Sequence, residues 1–203
     1  PWLERALAAL GGDGPAVVVE TAALEVAQQV ADPRTVDPHV WLDPVLAMRQ
    51  VRRVLAAFEA ADSEHATGYR TRTSDLLGDL EALDVAFASG LRSCGQETFV
   101  TTHAAYGHLA GRYGLEQVAI AGLTPEAQPS ARELADLTEE VTAMGLGYVL
   151  VEPSLSARLA QTVAAESELE LLSIHQLESV TAKELAEHGD YLGLMRANLA
   201  SLS

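Results

Sequence analysis

The chain is poor in basic residues and nearly without sulfur nucleophiles. Its 203 residues carry 13 Lys and Arg against 29 Asp and Glu, a formal net charge of −16. A surface of that sign repels phosphate backbones, so nucleic acid is excluded as an expected partner, whereas cations are favoured. Much of such charge is simply a solvated face. One cysteine, Cys94, excludes an intrachain disulfide and any thiolate cluster. No stretch approaches the roughly 18 consecutive apolar residues of a membrane-spanning helix. There is no Cys-x-x-Cys, His-Glu-x-x-His, nucleophile elbow or phosphate loop, which removes the local zinc, hydrolase and nucleotide signatures. A secretory signal is missing too: the chain opens on "PWLERALAAL", an amphipathic helix pattern with no natural start residue.

What is present is an ordinary apolar content of 48% with clear periodicity. Residues 2–10 read as a helix ended by "GGDG", and "AVVVE" (16–20) as a buried strand. Asp43 as N-cap and Pro44 at the first helical position open a helix running to about Ala61. From Ser63 to about Arg92, Leu76, Leu77, Leu80, Leu83 and Phe87 recur at helical spacing. Thirty residues of helix span roughly 45 Å, which suits a spine between two lobes. Beyond it, strands and helices alternate. "ETFVTTH", "EQVAIAGL", "GYVLVEP" and "LELLSIHQL" read as strands, separated by three helices and followed by one terminal helix. Gly114 closes the first of those helices, and Ser130 with Glu133 forms a capping box on the second. This alternation predicts an α/β fold with a parallel sheet flanked by helices.

Ligand-binding groups in such folds gather beyond the carboxyl ends of the strands. His103 ends "TFVTTH" and His175 follows "LELLSI", so both reach that edge. His39, between two Asp-Pro pairs in "TVDPHVWLDP", stands before a helix across the spine. Three imidazoles converging from separate elements suit zinc, which accepts tetrahedral nitrogen ligation at about 2.0–2.1 Å. Taken singly, each reads first as a packed or surface residue, and placement at strand ends brings His103 and His175 alone to an even balance. His65, His108 and His188 are assigned to structural or surface roles. Glu152 reaches the same edge, either as a cleft group or as a partner for an arginine such as Arg112. Asp43 reads as a cap, and Asp37 as the residue that orients His39.

"DPHVWLDP", "TTHAAYGHLAGRYGL", "GLTPEAQPS" and "YVLVEPSLSARLAQTVAAE", in that order, resemble the zinc and manganese solute-binding proteins of ABC-type metal importers. The closing "GDYLGLMRANLASL" is similar to the terminal helix of the same family. The resemblance implies two α/β lobes joined by one long rigid helix, with the ion in the cleft between them. Residues 1–62 are then the remainder of the N-terminal lobe, 63–93 the linker helix and 94–203 the C-terminal lobe. It also implies that His39 is the ligand from the first lobe and His103 one from the second. Manganese-type members look like they carry glutamate at the position of His103, so the histidine favours Zn2+, with Mn2+ the lesser expectation. His175 stands in "IHQL" where the family's "Leu-Asp-Pro-Leu" has its acidic ligand, and Gln128 replaces a usual glutamate. A further family histidine and an export signal are expected upstream of residue 1.

The expected function is therefore capture of zinc outside the cytoplasm, in the periplasm or from a lipid anchor, by a monomer that delivers it to an ABC permease. The alternative is a zinc hydrolase in which three histidines leave one position for an ionisable water and Glu152 acts as base. A metal-independent adhesin or scaffold on the same fold is a third reading.

Overall fold

The Asp43-Pro44 pair starts a helix as the sequence predicts. Asp43 Oδ1 accepts from the amides of Val45 (2.8 Å) and Leu46 (3.2 Å), and Pro44 leads α1, Pro44–Ala61. The computed structural model describes residues 19, 21, 37–123, 129–152 and 158–203. The expected helix at 2–10 lies outside the described residues, as does the expected strand at 16–20 apart from Val19. Thr21 is tied to α1: its carbonyl accepts from the Arg53 guanidinium at 2.9 Å and its hydroxyl from the Gln50 amide at 3.2 Å.

A 3-10 turn at Ser63–His65 leads into α2, Ala66–Leu91, so the expected spine begins with a tighter turn. Its 26 residues span roughly 40 Å at 1.5 Å per residue. The first half of α2 runs along α1. In the second half Leu80, Leu83, Phe87 and Leu91 are buried, and this half packs on the last helix of the chain. One rod therefore serves both the α1 hairpin and the sheet.

The sheet has strands β1 (Thr98–His103), β2 (Glu116–Ala121), β3 (Tyr148–Val151) and β4 (Glu170–Ser173). They lie in the order β2-β1-β3-β4 and pair parallel throughout, with Thr101 opposite both Ala119 and Leu150. Successive residues of a strand face opposite sides. Phe99 and Leu150 accordingly join the core that holds Leu83, Phe87, Tyr106 and Met195. Val100 and Val149 join Ile120, Val141, Ala160 and Val163 on the other face. Helices α3 (Gly107–Tyr113), α4 (Ala131–Ala143) and α5 (Arg158–Glu166) alternate with the strands. Gly114 ends α3 at φ 74°, and the capping box on α4 between Ser130 and Glu133 is present.

Two boundaries differ from the sequence reading. β4 stops at Ser173, so His175 lies in irregular chain rather than in a strand. The terminal helix is two helices, α6 (Ala182–His188) and α7 (Tyr191–Leu202). Gly189, at φ 84°, closes the first, and Asp190 caps the second through the Gly193 amide. Thr181 and Glu184 form a capping box on α6. Among the described residues no helix is long and apolar enough to cross a membrane.

Candidate metal centre

His39 sits at the start of the turn Val40–Leu42 and is 2% exposed. Asp37 fixes it twice: Oδ1 accepts from the His39 amide at 3.0 Å and lies 2.7 Å from Nδ1. Trp41 meets the ring edge-on, with centroids 5.4 Å apart. His103 is the last residue of β1 and fully buried. Its Nδ1 lies 2.9 Å from Oε1 of Glu152, the residue that follows the neighbouring strand β3. A carboxylate can only accept, so in both rings Nδ1 is the donor, and in the neutral imidazole the lone pair is then on Nε2. This is how outer-shell carboxylates set up histidine as a metal ligand.

The two rings meet edge-to-face, with centroids 5.4 Å apart and planes at 73°. Two imidazoles sharing a tetrahedral ion at about 2.0–2.1 Å put their centroids about 5 Å apart. Nε2 of His103 is buried with no hydrogen-bond partner, and Nε2 of His39 is 3.6 Å from Oε1 of Glu178. Glu178 is presented by a fixed turn. The Trp41 indole N–H donates to the Gln176 carbonyl at 2.8 Å, and the Gln176 side chain accepts from the Glu178 amide at 2.7 Å. Between them Leu177 has φ 63°, a left-handed conformation that a bulky side chain adopts at a cost of about 1–3 kcal/mol.

The electrostatics favour a cation. Glu152 is fully buried. The Tyr106 hydroxyl is buried beside that carboxylate, and burial, the Glu152 charge and hydrogen bonding to it push its phenol far above the ordinary value. Burying a carboxylate costs free energy that a nearby positive charge offsets. Because Glu152 lies behind His103 on the Nδ1 side, it is not placed to act as a base on a water bound at Nε2. The hydrolase reading loses its base.

Of the three expected ligands, the structure brings His39 and His103 together and gives His175 other company. His175 Nδ1 lies 2.8 Å from Glu184 Oε1, and its ring meets that of His188 at 5.2 Å. Asn198 clasps its backbone, accepting from the amide and donating to the carbonyl, both at 2.7 Å. Among the described residues no group of three or more His, Cys, Asp or Glu side chains stands close enough together to hold a metal ion, so the pair His39 and His103 is what the fold assembles. Asp43 is a cap, as expected. The arginine expected beside Glu152 is instead on Asp43: Arg112 contacts its Oδ2 at 2.8 and 2.9 Å, which raises the guanidinium pKa. His65 is exposed beside Asp62, while His108 is buried against Asp37. Sequence reasoning missed Glu178; the one available signal was an acidic residue three places after His175 at the same sheet edge.

Residues 1–203 match the family model described as ZnuA, zinc-uptake complex component A, periplasmic. The chain is 39% identical to the zinc-binding lipoprotein AdcA of Streptococcus pneumoniae over 166 residues, 82% of this chain and 33% of that protein. It is 32% identical to the high-affinity zinc uptake system protein ZnuA of Bacillus subtilis over 166 residues, 82% of this chain and 52% of that one. The chain thus spans about a third of AdcA and about half of ZnuA. Among solved structures, it resembles the Zn(II)-bound ZnuA-like domain of S. pneumoniae AdcA, with a TM-score of 0.79 at 33% identity, covering 99% of this chain and 74% of that one. The metal-dependent lipoprotein YcdH of B. subtilis gives 0.80 at 30% identity, with the same coverage. The chain belongs to the ZnuA family, the periplasmic component A of zinc-uptake complexes.

Proposed function

We propose that this protein is a zinc-binding component of an ABC-type importer, working outside the cytoplasm and handing the ion to a membrane permease. The relatives' names support the metal and the setting. The observation that carries the reading is the pair of imidazoles in edge-to-face contact, each with Nδ1 on a carboxylate, with Nε2 of His103 unpartnered and Nε2 of His39 3.6 Å from Glu178. We read His39 and His103 as ligands through Nε2, and Glu178 as the oxygen ligand, its half-exposed side chain free to swing the remaining distance. His175 is read as a structural residue outside that set. Two nitrogens and one carboxylate favour zinc over the harder manganese ion. The chemistry is coordination, with no catalytic step, and protons compete with the ion for both imidazoles, so affinity falls on acidification. In this reading residues 1–62 are the remainder of the N-terminal lobe, 63–93 the linker helix and 94–203 the C-terminal lobe.

Zinc titration calorimetry on the chain tests the assignment. One ion per chain is expected, with binding crippled by His39→Ala, His103→Ala and Glu178→Ala and kept by His175→Ala. A folded chain that takes up no zinc overturns the function; a His175→Ala chain that loses binding overturns the ligand set.

A further inference from the structure

We infer that His108 is a positioning residue of the metal centre: it holds Asp37, and through Asp37 the His39 ring, so that one short segment, 103–108, aims both imidazoles. The inference rests on the ligand reading above. His39 is only as well placed as Asp37, whose Oδ1 takes both the His39 amide and Nδ1. Asp37 in turn is met by α3. Nε2 of His108 lies 3.1 Å from the Asp37 carbonyl, which can only accept, so Nε2 is the donor there. The same nitrogen is 3.7 Å from Asp37 Oδ2, and the His108 side chain is 6% exposed. Gly107 permits the approach: a Cβ on that residue would come within 3.1 Å of Asp37 Oδ2.

The segment that carries His108 is itself clamped at its other end, where His103 stands. Gln117 of β2 donates from its side-chain amide to the His103 carbonyl at 2.9 Å and to the Thr101 hydroxyl at 2.7 Å. Its side-chain oxygen accepts from the Tyr106 amide at 3.0 Å, and the Gly122 carbonyl accepts from the Ala104 amide at 3.1 Å. The strand-to-helix connection is therefore fastened to β2, with a ligand at one end and the holder of the second ligand's carboxylate at the other. A side chain that only glued residue 37 to α3 would affect stability. One that aims His39 affects the geometry of the bound ion.

The test uses zinc affinity by competition with a chromophoric chelator, together with the visible absorption of cobalt(II) bound in place of zinc. His108→Phe keeps a ring and removes the donor, whereas His108→Gln restores an N–H near the same place. His108→Phe is expected to weaken zinc binding roughly 10- to 100-fold, the range for lost outer-shell partners, and to shift the cobalt band; His108→Gln recovers most of both. Arg112→Met, which breaks a different tie to α3, should lower the unfolding temperature without moving the band. His108→Phe with wild-type affinity and spectrum overturns the inference. If that variant does not fold, Gly107→Ala takes its place, because its methyl presses on Asp37, and an unchanged cobalt spectrum there overturns it equally. A wild-type chain that gives no ligand-field band sinks the ligand reading instead, which keeps the two failures distinct.

Discussion

His103 and His175 stand in like places and keep unlike company. Each lies at or just past the carboxyl end of a strand in the same parallel sheet, and each has Nδ1 against a glutamate, at 2.9 Å and 2.8 Å. What separates them is the other nitrogen and the chain around it. His103 is inside a strand, fully buried, with Nε2 unpartnered and the His39 ring in front of it. His175 is in irregular chain, its backbone closed off by Asn198 and its ring set against His188. A carboxylate on Nδ1 makes a histidine a competent ligand, but convergence with other donors decides whether it becomes one.

The sharpest way to break this comparison is to delete the two rings in turn. His103→Ala is expected to cost zinc affinity well beyond the roughly 10- to 100-fold of an outer-shell loss, while His175→Ala leaves it unchanged. Equal losses in a competition titration would mean that the two sites act as one. The glutamates give the next contrast. Glu152→Gln keeps the shape but turns an acceptor-only group into one that can donate, which disturbs the His103 tautomer and removes the buried charge. Zinc affinity should fall roughly 10- to 100-fold, whereas Glu184→Gln should not change it.

The same comparison shows what the sequence makes legible. Wherever a side chain's place follows from a regular period or a cap, the residues predict it: the register of β1 places His103, the Asp43-Pro44 start places His39 in front of α1, and Ser130 and Glu133 mark α4. The segment 174–181 has neither helix nor strand, so nothing in its spacing tells which of His175 and Glu178 faces His39. The Leu177 backbone and the Trp41 bond across 135 residues decide that, and both are tertiary. The break between α6 and α7 was readable in principle, since Thr181 with Glu184, then Gly189 and Asp190, are stop and start signals. The heptad-like apolar run across them hid it. The partner of Arg112 was not readable, because Asp43 and Glu152 both lie far from it in sequence.

If the His175 region is structural, its energetics belong to stability. Asn198→Ala leaves the His175 amide and carbonyl without partners in a buried place, a loss of about 1–3 kcal/mol. At roughly 2–4 °C per kcal/mol for a chain this size, thermal unfolding should show it plainly, with zinc affinity intact in the same preparation. A drop in affinity without a drop in melting temperature would put Asn198 in the metal centre.

The smallest expected effect concerns Glu184 and pH. Covering the side chain pushes its carboxyl up, but the bonds from Thr181 and His175 outweigh that and hold it below the ordinary value. A carboxyl whose pKa is lower in the folded state stabilises the fold fully above its unfolded value, and that stabilisation is lost as pH falls through the folded value. Glu184→Gln should therefore unfold at a lower temperature than the parent at pH 7. The gap should narrow as pH drops below about 4.3, the unperturbed glutamate value. Melting curves for the two chains that stay equally separated down to pH 3 would mean that Glu184 acts through packing or its capping geometry rather than its charge. The His175–Glu184 pair would then hold the fold through geometry, with no contribution from the charge of its carboxylate.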